Sequence, residues 1–167
     1  MIFTEGDLKF DFSGAIDAFK FDDREPESPH YHGLSHCGMK AVDFIIERQE
    51  DWLFVEVKDY NHPSSSNNFD GNEKEIAQLI LGLAKKYRDT FLYRWAEEKI
   101  DKPIRYICLV ELSSPSTILM DKLKNKIPDN KPERWNRPIV KSVVVMNMRE
   151  WNACFTTWPV TRVSEAL

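Results

Sequence analysis

The sequence predicts an α/β domain built on a mixed sheet, and three observations predict it. Two runs dense in β-branched and aromatic residues flank a polar turn and read as a hairpin, MKAVDFIIE over Met39 to Glu47 and WLFVEVKD over Trp52 to Asp59. A long stretch follows with apolar residues at three- and four-residue intervals. Beyond it an apolar run, a helix-like segment and a second apolar run alternate, which is the pattern of strands joined through helices.

Taken in order, residues Asp7 to Asp23 admit two readings. Leu8, Phe10 and Phe12 alternate like a strand, after which Ser13 can cap a short helix, SGAIDAF, carrying Ile16, Ala18 and Phe19. Arg24 to Pro29 is a polar loop, and His30 to Gly38 is rich in His and Gly. The hairpin turns at RQED, and the twelve-residue polar stretch NHPSSSNNFDGN after it is long enough to be mobile or functional. Asn72 and Glu75 have capping-box spacing. Ile76, Ile80, Leu83, Tyr87, Phe91 and Trp95 then mark an amphipathic helix ending near Ile100, before Pro103. Ile104 to Leu112 suits a buried strand, and Ser113 to Ile127 a helix started by Ser114 with Pro115 at its first position. Pro128 to Pro138 is a Pro-rich loop and Ile139 to Met148 a further strand. Trp151, Phe155 and Trp158 read as anchors of the C-terminal segment.

Length and composition narrow the function classes. The 167 residues fit one domain with its own core. With 42% hydrophobic and 30% charged residues the chain is neither disordered nor membrane-like, and no apolar run approaches the roughly 20 residues of a spanning helix. Cys37, Cys108 and Cys154 are an odd number without framework spacing, and MIFTEGDLKF has no signal-peptide pattern. A cytoplasmic protein with reduced thiols is expected. The formal charge of −4 speaks against a nucleic-acid partner only until it is divided. Residues 1 to 73 carry 6 Lys/Arg against 16 Asp/Glu, whereas residues 74 to 167 carry 17 against 11.

The hairpin carries the chemistry. With the turn centred between Gln49 and Glu50, Asp43 stands opposite Glu56 on one face, and Val42, Phe44, Ile46, Leu53, Val55 and Val57 form a wholly apolar face fit to pack on a helix. Two opposed carboxylates repel unless something positive lies between them. Hard divalent ions such as Mg²⁺, with Mn²⁺ as a substitute, take one or two carboxylates and leave room for phosphate oxygens. The Val57 carbonyl can add a third ligand. Lys58, on the face of Glu56, can orient or help deprotonate an attacking water and offset charge on a phosphate. Metal, water and lysine together suit phosphodiester hydrolysis.

An Asp on one strand and Glu-x-Lys on the next, VDFIIERQEDWLFVEVKD, followed by a long helix and an apolar strand, resembles the PD-(D/E)XK nuclease superfamily over about residues 38 to 112. The resemblance implies a restriction-endonuclease-like fold, a central mixed β-sheet flanked by helices, with an αβββαβ core plus a C-terminal helix and strand. It implies a Mg²⁺-dependent nuclease in which Asp43 and Glu56 hold metal and Lys58 is the catalytic lysine. Val42 stands where many members have Pro. For the further acid that many members place on the first helix, Asp17 is the candidate, with Glu5 and Asp11 as rivals. Gln78 answers to a helix Gln of some branches, although Gly82 replaces the Tyr four residues on.

Other clusters admit a plainer reading beside the chemical one. His30, His32, His36 and Cys37 are zinc-type ligands, but they are bunched in eight residues with no second pair and read first as a loop, with His30 or His32 available to a substrate phosphate. Lys131, Arg134, Trp135 and Arg137, together with Lys85, Lys86 and Arg88 of the long helix, suit backbone contact and base stacking, and equally a solvated surface. The expected partner is nucleic acid, DNA before RNA, and a homodimer would place two sites on a duplex. The same fold binding nucleic acid or a protein without turnover is the competing expectation.

Overall fold

The hairpin read from the sequence forms, in the expected register, and the rest of the fold is arranged on it. The computed structural model describes residues 1–61, 69, 71–112, 116–129 and 132–166. Among them the elements run β1 (Ile2–Glu5), β2 (Leu8–Asp11), β3 (Asp17–Lys20), β4 (Phe44–Glu47), β5 (Trp52–Asp59), α1 (Glu73–Ala96), β6 (Ile104–Glu111), α2 (Ser116–Lys124), β7 (Ser142–Met146), α3 (Met148–Cys154) and β8 (Val160–Arg162). Phe44 faces Val55 and Glu47 faces Trp52 across the hairpin. Strands β3-β4-β5-β6-β7 form one mixed sheet, and β1-β2-β8 form a smaller antiparallel sheet. In the mixed sheet β3 to β5 are antiparallel, and β5, β6 and β7 are parallel. Parallel neighbours need crossovers, which α1 and α2 supply.

Both faces of the mixed sheet are covered, so β5 is buried for most of its length. On one face Ile45, Phe54, Tyr106 and Val143 pack against Leu79, Leu83 and Tyr87 of α1 and Leu119 and Leu123 of α2. On the other, Phe44, Ile46, Leu53 and Val55 meet Leu8, Phe10 and Val160 of the small sheet and Trp151 of α3. The apolar hairpin face therefore packs chiefly on a second sheet, and the face bearing Asp43 and Glu56 packs on the long helix. Among the described residues no helix is long and apolar enough to cross a membrane, and all three cysteines are free.

Several boundaries differ from expectation for identifiable reasons. No α-helix precedes the hairpin in the described residues, only a single 3-10 turn over Leu34–Cys37. Gly14, at φ +86°, turns the chain after Phe12, Ile16 N–H donates to Glu47 O at 3.0 Å, and SGAIDAF thereby leads into edge strand β3 instead of a helix. The expected αβββαβ core is thus preceded by the β1–β2 hairpin in place of its first helix. The first hairpin strand begins at Phe44, because Lys40 N–H donates to Asp89 Oδ2 at 2.8 Å and Val42 N–H to Thr90 Oγ1 at 3.1 Å. These bonds draw residues 40–42 onto α1, and Val42 joins the helix-side core. Strand β7 stops at Met146 because Asn147 opens α3 with a capping box to Glu150, a helix the sequence reading did not separate from the strand. The expected starter residues of α2, Ser114 and Pro115, and most of NHPSSSNNFDGN lie outside the described residues.

Helix α1 starts as read, with Asn72 Oδ1 accepting from Glu75 N–H at 3.0 Å, but ends at Ala96, short of Ile100. Lys99 N–H donates to Arg94 O and Glu98 N–H to Trp95 O, both at 3.0 Å, and Glu98 takes φ +58°. This is a Schellman ending with a glutamate in the left-handed position that favours glycine. Glu98→Gly is expected to raise the unfolding midpoint by about 2 to 4 °C, the equivalent of about 1 kcal/mol in a chain of this size. Thermal melts of the two proteins check it, and a lower midpoint contradicts it.

Candidate functional site

The site grows from the point where the hairpin pairing ends. One residue before β4, Asp43 is placed by its backbone, whose carbonyl accepts from Phe21 N–H at 2.8 Å, and by Oδ2, which accepts from Val57 N–H at 2.6 Å. The preceding segment is fixed to α1 by Asp89 and Thr90 and by Lys85 Nζ, which donates to Gly38 O at 3.2 Å. Glu56 lies on the helix-facing side of β5. It is fully buried, and Asp43 is 2% exposed.

The positive charge the two acids call for is supplied by Lys86 of α1. Its Nζ lies 3.2 Å from Asp43 Oδ1 and 2.6 Å from Glu56 Oε1, and Lys58 Nζ lies 2.8 Å from the same Glu56 oxygen. Both ammoniums approach Oε1 at angles outside hydrogen-bond geometry, and Oε2 has no hydrogen-bond partner. Burial first, and the charge of Asp43 second, push the Glu56 carboxyl up to about 7 against the pull of the two lysines. Burial lowers the Lys58 ammonium, but the charge of Glu56 at 2.8 Å, and then that of Asp43, outweigh it and leave it raised. Lys58 therefore stays protonated in this arrangement. It is here a hydrogen-bond donor and a positive charge.

A second acidic group adjoins the first. One carboxylate oxygen each from Glu5, Asp22 and Asp43 lie within 4.8 Å of one another. Lys20 Nζ holds Glu5 at 2.6 Å and Asp22 at 3.8 Å. Burial, then Asp43, raise the Asp22 carboxyl to about 6. Of the three candidates for a further acid, Glu5 is the one that lies beside Asp43, where Asp22 joins it, whereas Asp17 stands opposite Glu47 and uses Oδ1 on its neighbour Ala18 N–H. Asp11 is occupied by Ser13.

Two clefts flank these acids. The larger, about 650 Å³, is lined by Lys40, Lys58, Tyr60, Gln78, Lys85 and Lys86 among others, so Gln78 does reach the same cleft as Lys58. The smaller, about 200 Å³, is lined by Asp22, Tyr31 and His32 and shares Lys40 and Lys86 with the first. Carboxylate oxygens of Asp43, Glu56, Glu5 and Asp22 are hard donors that suit Mg²⁺ or Mn²⁺, and the unpartnered Glu56 Oε2 leaves ligand capacity. In an extended strand the N–H and C=O of one residue point to the same side, so the Val57 carbonyl shares the edge on which its N–H meets Asp43.

The remaining predicted residues lie elsewhere. His30 stacks on Phe19, with ring centroids 4.2 Å apart. His32 accepts from Leu34 N–H through Nδ1 at 3.1 Å and bonds Phe21 O through Nε2, so both nitrogens are used. His36 and Cys37 are exposed, and among the described residues no metal-holding group includes any of the four. Arg88 bonds Ala84 O. Arg134 and Trp135 are exposed, and Arg137 lines a separate cleft with Lys102 and Ile104, where β6 begins and far along the sheet from Glu56. Lys131 lies outside the described residues. Lys86, read as a phosphate contact, instead pairs with both acids. The signal was present, since Lys86 falls seven residues after Leu79 and three after Leu83, on the apolar face of α1.

Comparison of the chain with protein-family models, with curated proteins and with solved structures finds no match.

The raised carboxyls set a sign for pH dependence. Between 4.5 and about 7 folded Glu56 holds a proton that the unfolded chain has released, and Asp22 does so between 3.8 and about 6. Stability from these groups therefore falls as pH rises through that window. The unfolding midpoint is expected to drop from about pH 5 to about pH 8, and Glu56→Gln to flatten that slope. An unchanged slope in the variant contradicts the assignment.

Proposed function

We propose that the protein is a divalent-metal-dependent phosphodiesterase acting on nucleic acid, a nuclease of restriction-endonuclease-like fold. The observation that carries this reading is the pairing of buried Asp43 and Glu56 through Lys86, with Lys58 on Glu56, just beneath a cleft of about 650 Å³ whose wall holds both lysines together with Lys40 and Lys85. Asp43 and Glu56, with the Val57 carbonyl, would hold the ion, and Glu5 and Asp22 offer a neighbouring set. When bound, Mg²⁺ would supply Lewis-acid polarisation of the phosphate and of the attacking water. The Lys58 ammonium, held by Glu56, donates to charge growing on the phosphoryl oxygens. Lys40 and Lys85 would hold the flanking backbone, and Gln78, which lines the same cleft, would orient the nucleophilic water. The reaction adds water across one P–O bond and leaves a phosphomonoester and a hydroxyl.

Cleavage of DNA and RNA oligonucleotides with Mg²⁺ or Mn²⁺ tests this. Glu56→Gln is expected to abolish it, and Lys58→Met to lower it roughly 10²- to 10³-fold, with circular dichroism unchanged. Cleavage undiminished in both variants overturns the reading. Glu56 must also release its proton to take an ion, so apparent Mg²⁺ affinity is expected to rise with pH through about 7.

One observation favours a second reading, a nucleic-acid-binding module without turnover. The Lys86 ammonium already stands between the two carboxylates. Salt-sensitive oligonucleotide binding with no cleavage in either metal selects that reading.

A further inference from the structure

We propose that Lys86 is the built-in counter-ion of the site, exchanged for a divalent ion on loading, and that its freed ammonium then takes a substrate phosphate oxygen in the larger cleft. This rests on the reading of Asp43 and Glu56 as metal ligands. Lys86 Nζ, at 3.2 Å from Asp43 Oδ1 and 2.6 Å from Glu56 Oε1, fills the position between the two carboxylates that an ion bridging them needs. An ion between these oxygens would occupy the volume that Nζ already fills, so the two exclude one another by contact as well as by charge.

The side chain has somewhere to go. It is 19% exposed and belongs to the walls of both clefts. A lysine head on a flexible four-carbon stem can turn through several ångströms while its helix stays in place. In the larger cleft it joins Lys40, Lys58 and Lys85 against the single carboxylate of Glu75, so the lining carries net positive charge that attracts an anion. A phosphodiester supplies that anion. Lys58 approaches Glu56 from the cleft wall and can keep its place when the ion enters.

Titration of the intact protein with Mn²⁺, read by calorimetry, tests the exchange. With its competitor gone, Lys86→Met is expected to bind Mn²⁺ about tenfold or more tightly than the wild type, whereas Glu56→Gln binds more weakly. Without the ion, Lys86→Met is expected to melt below the wild type, and Mn²⁺ to recover more of its midpoint. Should Lys86→Met not fold, Lys86→Gln, which keeps an amide donor, gives the same comparison. Equal or weaker Mn²⁺ binding by the Lys86 variant, with Glu56-dependent binding in the wild type, overturns the exchange and leaves the metal site standing. Mn²⁺ binding that is absent, or indifferent to Glu56→Gln, overturns both. For the phosphate contact, Ca²⁺ is expected to strengthen single-stranded oligonucleotide binding by the wild type and to do so severalfold less in Lys86→Met. Equal strengthening overturns it.

Discussion

Two carboxylates buried side by side are the constraint to which the surrounding structure answers. Asp43 and Glu56 have almost no contact with water, and an uncompensated buried charge costs several kcal/mol after relaxation (roughly, for a single ion). Compensation comes from α1 through Lys86 and from β5 itself through Lys58. For Lys86 to arrive, the helix must lie across the hairpin in one register. That register is pinned by Asp89 and Thr90, which hold residues 40–42, and by Tyr106 Oη, which donates to Leu83 O at 2.9 Å. The clamp that shortens β4 is the same one that aims Asp43.

A buried ionic cluster of this kind adds little stability over a well-packed apolar one, whereas it is costly to break by halves. Stability alone therefore gives no reason for its presence in an otherwise apolar helix–sheet interface. The proposed exchange of Lys86 for a divalent ion offers one. In that proposal the ammonium would stabilise the metal-free fold, and the ion would replace it where phosphate is to be bound. The network of Arg162 with Asp59 at 2.8 Å and Asp7 at 3.3 Å contrasts with it. There the guanidinium fork is satisfied on both arms, and the cluster ties β8 to β5 as a structural joint.

Much of this was legible in the chain. Alternation and turn chemistry placed the hairpin in its true register, which fixes the face on which Asp43 and Glu56 meet, and the periodicity of Ile76 to Trp95 identified α1. Local pattern could not show that Ser13 to Phe19 extends a sheet edge, because the deciding bond, Ile16 N–H to Glu47 O, is made thirty-one residues away. The same limit hid Asp22 and left Glu5 a rival to Asp17, because their approach to Asp43 depends on how the β1–β2 hairpin and β3 pack. Asp17 was favoured because a helix was expected there, and a strand turns that residue away. Lys86 was half legible, since a lysine on an apolar helix stripe requires an acid, and the hairpin supplied two. The division of charge between the halves takes on a local meaning, with a helix lysine from the basic half neutralising hairpin acids from the acidic half.

Anomalous diffraction from a crystal soaked in Mn²⁺ tests the central claim most directly. The expected result is a peak within ligand distance of both Asp43 and Glu56, with the Lys86 ammonium displaced from between them. Lys86 still bridging the two carboxylates at saturating Mn²⁺, with no peak beside them, would contradict it.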